Sequence, residues 1–297
     1  MHPDIPIPPD PIVERPFSRM DKPFPWPAGM RCAVMLTFDF DGETLWFSRD
    51  PENACRPGIL SQGVYGGRVG VHKVLDLMQE EETPATFFVP GWTAERYPQA
   101  IERILANGHE VGHHGYLHEW IDPKFPDLEE EALDKGLAAL LKIGGVEPKG
   151  FRSPAGESST NMIRLLSEKG FQYDSTLMDG IVPYRHVLAD GSAGPVELPW
   201  HWSIDDSPYA LFSIRNPRPI MTNSHILEIW LDEFREIYRT GGLVNVVMHP
   251  QVSGRPSRIA MLRTFIQEVR QFPNVWFARG AEVAEAFVAA EKSLAHS

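Results

Sequence analysis

The stretch His109-Glu-Val-Gly-His-His-Gly-Tyr-Leu-His118 puts four of the chain's 11 histidines within ten residues. His114 and His118 stand four apart. On one helical turn, or in a tight loop leading into one, such positions share a face, and two imidazoles so placed can close on one metal ion. A carboxylate to complete the set lies upstream in Thr37-Phe-Asp-Phe-Asp-Gly42. A single histidine would be read as a packed or solvated residue, but an H-x-x-x-H pair joined to acidic residues after an apolar run is read as a metal centre. Two histidines and one carboxylate leave positions on zinc open for water and a substrate oxygen, as hydrolytic sites need. The pattern predicts a metal-dependent hydrolase.

These residues must be carried by a body, and composition bounds it. The chain has 297 residues, 42% of them apolar and 23% charged, which describes an ordinary soluble globular protein able to bury one large core. A net charge of −12 disfavours nucleic acid, which calls for a basic face, and disfavours electrostatic docking on anionic membranes. Cys32 and Cys55 make neither a disulfide scaffold nor a C-x-x-C pair; Cys32, inside the run Cys32-Ala-Val-Met-Leu36, reads as a small core hydrophobe. No apolar run approaches membrane-spanning length, and no basic segment followed by an apolar one opens the chain, so a cytoplasmic address is expected.

Residues 1–27 hold nine of the 27 prolines. Such a segment lacks backbone donors and resists helix, so residues 1–29 are expected to form a proline-rich arm and residues 30–297 the catalytic body. Strands are predicted at 31–38, 84–90, 109–113, 149–153, 171–176, 196–202, 243–249 and 275–278. Between most of them lie stretches of helical period, such as Val71, Val74, Leu75 and Met78, or Leu133, Leu137, Leu140 and Leu141. Asp127-Leu-Glu-Glu130 has capping-box spacing for the second of these helices, and Gly144-Gly145 ends it. Strand–helix alternation predicts an α/β fold, a distorted (β/α) barrel of seven or eight strands. Asp39 and Asp41, His114 and His118, Arg152, and His249 each fall at or just past a strand end, the face where such barrels carry their active sites.

Taken in order, Thr37-Phe-Asp-Phe-Asp-Gly42, His114-Gly-Tyr-Leu-His118, Phe151-Arg-Ser-Pro-Ala-Gly156 and Val246-Val-Met-His-Pro250 resemble the polysaccharide deacetylase family, also called the NodB-homology or carbohydrate esterase 4 group. The segment His249-Pro-Gln-Val-Ser-Gly-Arg-Pro256 is similar to its peptidoglycan-deacetylase-like branch, with allantoinase-like and cyclic-imide hydrolases as relatives. The resemblance implies one divalent metal, zinc first, on Asp41, His114 and His118. It implies Asp39 as catalytic base, Arg152 as the residue orienting it, and His249 as general acid; Asp205 or Asp206 is the expected partner of the far ring nitrogen of His249. Trp202 and Ala155 are the expected substrate contacts. The expected substrate is an N-acetylated sugar, a small molecule or oligosaccharide; a cyclic amide or imide is the alternative, and a metal-binding non-enzyme the third reading.

One departure from the family pattern leaves the base open. Phe40 separates the two aspartates, which usually adjoin; in an extended strand both still face one side, but in a turn they need not, and Glu43 is then the substitute. His113 and His109 are read as structural. Gly63-Val-Tyr-Gly-Gly-Arg-Val-Gly70 lacks the ending of a phosphate loop and reads as a flexible entry to the next helix. The long segment 42–70 is expected to be a lid or a subunit contact, and with the arm it leads to an expected homo-oligomer. Trp200 and Trp202 are read first as core, with a stacking wall as the alternative.

Overall fold

A computed structural model describes residues 23–122, 124–159, 161–214 and 217–295. Its strands are β1 Cys32–Asp39, β2 Thr86–Val89, β3 Glu110–His113, β4 Gly150–Phe151, β5 Tyr173–Asp174, β6 Tyr184–Val187, β7 Ala193–Glu197, β8 Leu243–Met248 and β9 Val275–Phe277. Helices α1 Thr44–Arg49, α2 Pro57–Tyr65, α3 Val71–Glu80, α4 Gly91–Arg96, α5 Pro98–Ala106 and α6 Pro126–Gly144 occupy the first half. The second holds α7 Met162–Glu168, α8 Ser207–Ala210, α9 Asn223–Thr240, α10 Pro250–Ser253, α11 Pro256–Arg270 and α12 Gly280–Ala295.

The sheet runs β6-β7-β5-β4-β3-β2-β1-β8, with β9 paired to the start of β1. Every pairing is parallel except β6 with β7. The sheet curls, so that the chain beyond β7 reaches β8: Asn245 Nδ2 donates to the Leu198 carbonyl at 3.0 Å, and Asp205 bridges to Val247. This is the expected distorted α/β barrel. Alternation along β1 sorts its side chains. Val34, Leu36, Phe38 and Phe40 join the core beneath α3, α9 and α11, while Ala33 and Met35 belong to a second cluster with Phe88, Tyr173 and Val196. Asp39 and Asp41 continue the second series.

Several expectations need correction. The strand placed at 196–202 is β7, at Ala193–Glu197; Pro199, which has no amide donor, lies beyond its end. The short edge strand β6, with its mixed Tyr-Arg-His-Val pattern, was not foreseen. Residue 125 caps α6 and Pro126 begins it, so Asp127 already lies inside the helix and no capping box forms; the Gly145 terminus, in the left-handed region at φ 63°, is as expected. The segment 42–70 is not a loop but α1, a 3-10 turn at Pro51–Cys55, α2, and a π-helical turn at Gly66–Gly70 that runs into α3. Its glycines serve close packing rather than flexibility: a Cβ on Gly67 would strike the Tyr97 ring, and one on Gly70 the Pro250 carbonyl. Most of the proline-rich arm lies outside the described residues; at its end Phe24 and Trp26 are buried, and Trp26 Nε1 donates to the Gly241 carbonyl at 2.9 Å.

Candidate active site

β1 delivers the two aspartates. Gly42, at φ 59°, turns the chain out of the strand, and the Thr44 and Thr93 hydroxyls donate to the Asp41 carbonyl at 2.7 and 2.6 Å. Asp41 is fully buried. Among the described residues its Oδ1 has no hydrogen-bond partner, and it lies 3.5 Å from His114 Nε2 and 3.8 Å from His118 Nε2. Its Oδ2 accepts from Gln251 Nε2 at 3.2 Å. His114, just past β3, has its Nδ1 on the Arg152 carbonyl at 2.7 Å, which turns Nε2 toward the aspartates. His118 stands in a loop rather than on a helical turn, with φ 59°, and its Nδ1 shares a hydrogen bond with Ser48 Oγ at 3.2 Å.

The electrostatics suit cation binding. Burial pushes the Asp41 carboxyl up to about 7, with the nearby Asp39 adding to the rise. Burial holds both histidines below the ordinary imidazole value, and therefore neutral with an available lone pair. An orphaned buried carboxylate oxygen facing two neutral imidazole nitrogens is a donor set that fits a divalent cation.

Asp39 faces the same point, its Oδ2 3.8 Å from His114 Nε2. Its Oδ1 accepts from Arg152 Nη1 at 2.9 Å. Burial alone would raise this carboxyl, but Arg152 first, with His249 behind it, holds it below its usual value. Arg152 is itself pinned: its remaining donors reach Thr37 Oγ1, Ser175 O, Ser175 Oγ and Asn245 Oδ1 at 2.8 to 3.2 Å, which occupies the whole guanidinium. Glu43, the substitute base, turns away, taking a 2.7 Å hydrogen bond from Tyr97 and lying 3.7 Å from Arg96. His249, at the end of β8, places Nδ1 2.7 Å from Asp206 Oδ1, and Asp206 Oδ2 accepts from the His249 amide at 3.0 Å. Asp205 stands further off, at 4.0 Å. Burial would depress this imidazole, but Asp206, Asp205 and Asp41 raise it well above its ordinary value.

Asp39, His118, Arg152, Asp205 and His249 border a cavity of about 610 Å³ that is also lined by Ala155, Trp200, Trp202, Trp120, Arg49 and Arg218. Trp200 is core, with Nε1 on the Thr176 carbonyl, whereas Trp202 is 40% exposed and forms cavity wall. Ala155 sits in a tight turn at φ 60°. His113 points elsewhere, to the Leu133 carbonyl, and His109 packs on Phe87; both are structural, as expected. Sequence reasoning missed Thr37, Ser175, Asn245 and Gln251. Asn245 had a signal, since a polar residue inside Leu-Val-Asn-Val-Val-Met has to be satisfied in the interior.

Residues 31–173 match the polysaccharide deacetylase family model. A crystal structure from Mycobacterium smegmatis, described as a candidate polysaccharide deacetylase, is 42% identical and superposes at a TM-score of 0.85 over 91% of this chain and 94% of that one. The chain belongs to the polysaccharide deacetylase family. The peptidoglycan deacetylase of Helicobacter pylori is 29% identical over 78% of this chain and 88% of its own. The Puue allantoinase structure is 25% identical, with a TM-score of 0.76 over 89% of this chain and 92% of that one. The family model spans the strands that deliver Asp39, Asp41, His114, His118 and Arg152, and ends before β8 and His249.

Proposed function

We propose that this family member is a metal-dependent hydrolase of a non-peptide carbon–nitrogen bond that removes the acetyl group from an N-acetylated sugar. The observation that carries the reading is Asp41 Oδ1, buried and unpartnered, facing the Nε2 atoms of His114 and His118. Those three residues would hold the cation, and their mixed nitrogen and oxygen donors make zinc the first expectation. When bound, the cation supplies Lewis acidity, acidifying a water and polarising an amide carbonyl. Asp39, ionised and steadied by Arg152, takes the proton of the attacking water as the new carbon–oxygen bond forms. His249, kept protonated by Asp206, gives its proton to the departing nitrogen as the carbon–nitrogen bond breaks. Base, orienting arginine and acid stand together, which argues against a degenerate, purely metal-binding site. Trp202 and Ala155, in the cavity wall, are the proposed substrate contacts.

A second reading, ring opening of a cyclic amide or imide, draws on the likeness to the Puue allantoinase and on α1, whose Leu45 and Arg49 border the cavity where an open groove would suit a polymer. Zinc-loaded protein offered chitooligosaccharides and muropeptides, in parallel with hydantoins, succinimides and allantoin, tests both. Acetate release from the first group alone is the expected result. Ring opening alone overturns the carbohydrate reading.

A further inference from the structure

The cavity over the aspartates carries positive charge that the proposed reaction leaves unused. On its floor the cations are matched, Arg152 with Asp39 at 2.9 Å and His249 with Asp206 at 2.7 Å. On its wall stand Arg49, the last residue of α1, and Arg218, from the connection between α8 and α9. Neither has a carboxylate within 4.0 Å among the described residues. Glu157, which borders the same cavity, is exposed and, among the described residues, accepts only from the Ser158 amide. The Arg49 guanidinium lies over the Trp120 ring at 5.7 Å, within cation–π range, so the aromatic face helps hold it on this wall. Burial depresses Arg49; the charge of Asp41 offsets part of that and the charge of Arg218 adds to it, so the two arginines feel one another across the cavity. Like charges gathered on one wall, with no carboxylate in ion-pair contact among the described residues, repel one another in the empty cavity and are offset once an anion enters.

We propose that the substrate carries an anionic group, held by Arg49 and Arg218 while its amide lies at the Asp41, His114 and His118 centre. The inference rests on the amide-hydrolase reading of that centre and narrows its substrates to N-acylated acids or their cyclic counterparts. Carboxylate and phosphate oxygens both match an arginine fork, so the probes separate them.

The test is equilibrium binding to the zinc-loaded full chain of N-acetylglucosamine, its 6-phosphate, N-acetylmuramic acid, hydantoin and hydantoin-5-acetic acid. At least one acid should bind about tenfold or more tightly than its neutral partner, a preference that weakens as salt rises. In Arg49→Gln/Arg218→Gln the acid should fall to the level of the neutral compound while zinc content stays that of the wild type. Arg218→Gln alone, at an exposed position, should lose part of the preference and serves if the double variant folds poorly. Equal binding of acids and neutral compounds, no binding of any acid, or a preference that survives both variants overturns the proposal. A preserved acid preference without turnover of any probe would instead count against the hydrolase reading.

Discussion

Asp39 and Asp41 stand two apart and both are buried, yet their environments drive them in opposite directions. Asp39 has Arg152 at 2.9 Å and stays ionised; Asp41, with no cation within hydrogen-bond reach among the described residues, is pushed up to about 7. A cation and a proton therefore compete for Asp41. Zinc affinity should fall as pH drops below about 7, by up to about tenfold per unit, in titrations against a competing chelator. A flat profile would remove Asp41 from the ligand set. His114→Ala should lose most of the metal while keeping its circular dichroism. Asp39→Asn should keep the metal and lose about 100-fold or more in rate; wild-type turnover would move the base elsewhere. His109 offers a stability test away from the metal. Burial depresses it to about 4, and neither ring nitrogen has a partner among the described residues. As pH falls from the ordinary 6.5 toward 4, the unfolded chain takes up this proton first, so stability present above 6.5 is lost across that window. The share due to His109 is on the order of 1 kcal/mol, allowing for solvent screening, and His109→Phe should flatten the pH dependence of the urea midpoint by that amount.

At the scale of elements, β1 and the helices after it decide how the site is walled. Strand alternation was legible: the odd-numbered positions lead from Met35 to Asp39, and Phe38 and Phe40 fill the opposite face. The glycine-rich stretch before α3 was misread because glycine signals flexibility and close approach equally well in a sequence. Its Gly67 lies against Tyr97, whose hydroxyl holds Glu43 at 2.7 Å. Gly67→Ala is therefore expected to lower the melting temperature, costing about 1–3 kcal/mol as an overpacking change; an unchanged melting curve would restore the reading of a loose entry segment.

For the whole molecule, one surface patch beside the site is apolar. Leu117, Trp120, Phe125 and Leu128 are exposed and border a second cavity of about 390 Å³ beside the first. A folded chain in water rarely leaves such a patch bare, and a second copy of the chain is the simplest cover. Light scattering at micromolar concentration should return a multiple of 33.5 kDa. The monomer mass would refute this. Among the described residues, no helix is long and apolar enough to cross a membrane.

The kinds of chemistry on offer were written in local patterns. Histidines four apart, aspartates two apart at a strand end, and an arginine and a histidine after apolar runs are short-range features, and strand periodicity alone aims both aspartates to one side. Which groups meet is a long-range matter. Asp206 rather than Asp205 backs His249 because the chain beyond β7 crosses to β8 and presents that carboxylate to the ring. Glu43 drops out because Tyr97, from the end of α4, captures it. Arg152 is pinned by Thr37, Ser175 and Asn245 from three different strands or strand ends, partners that no local spacing relates. The curl of the sheet makes neighbours of residues more than 90 positions apart, and only folding could choose among carboxylates that the sequence left equivalent.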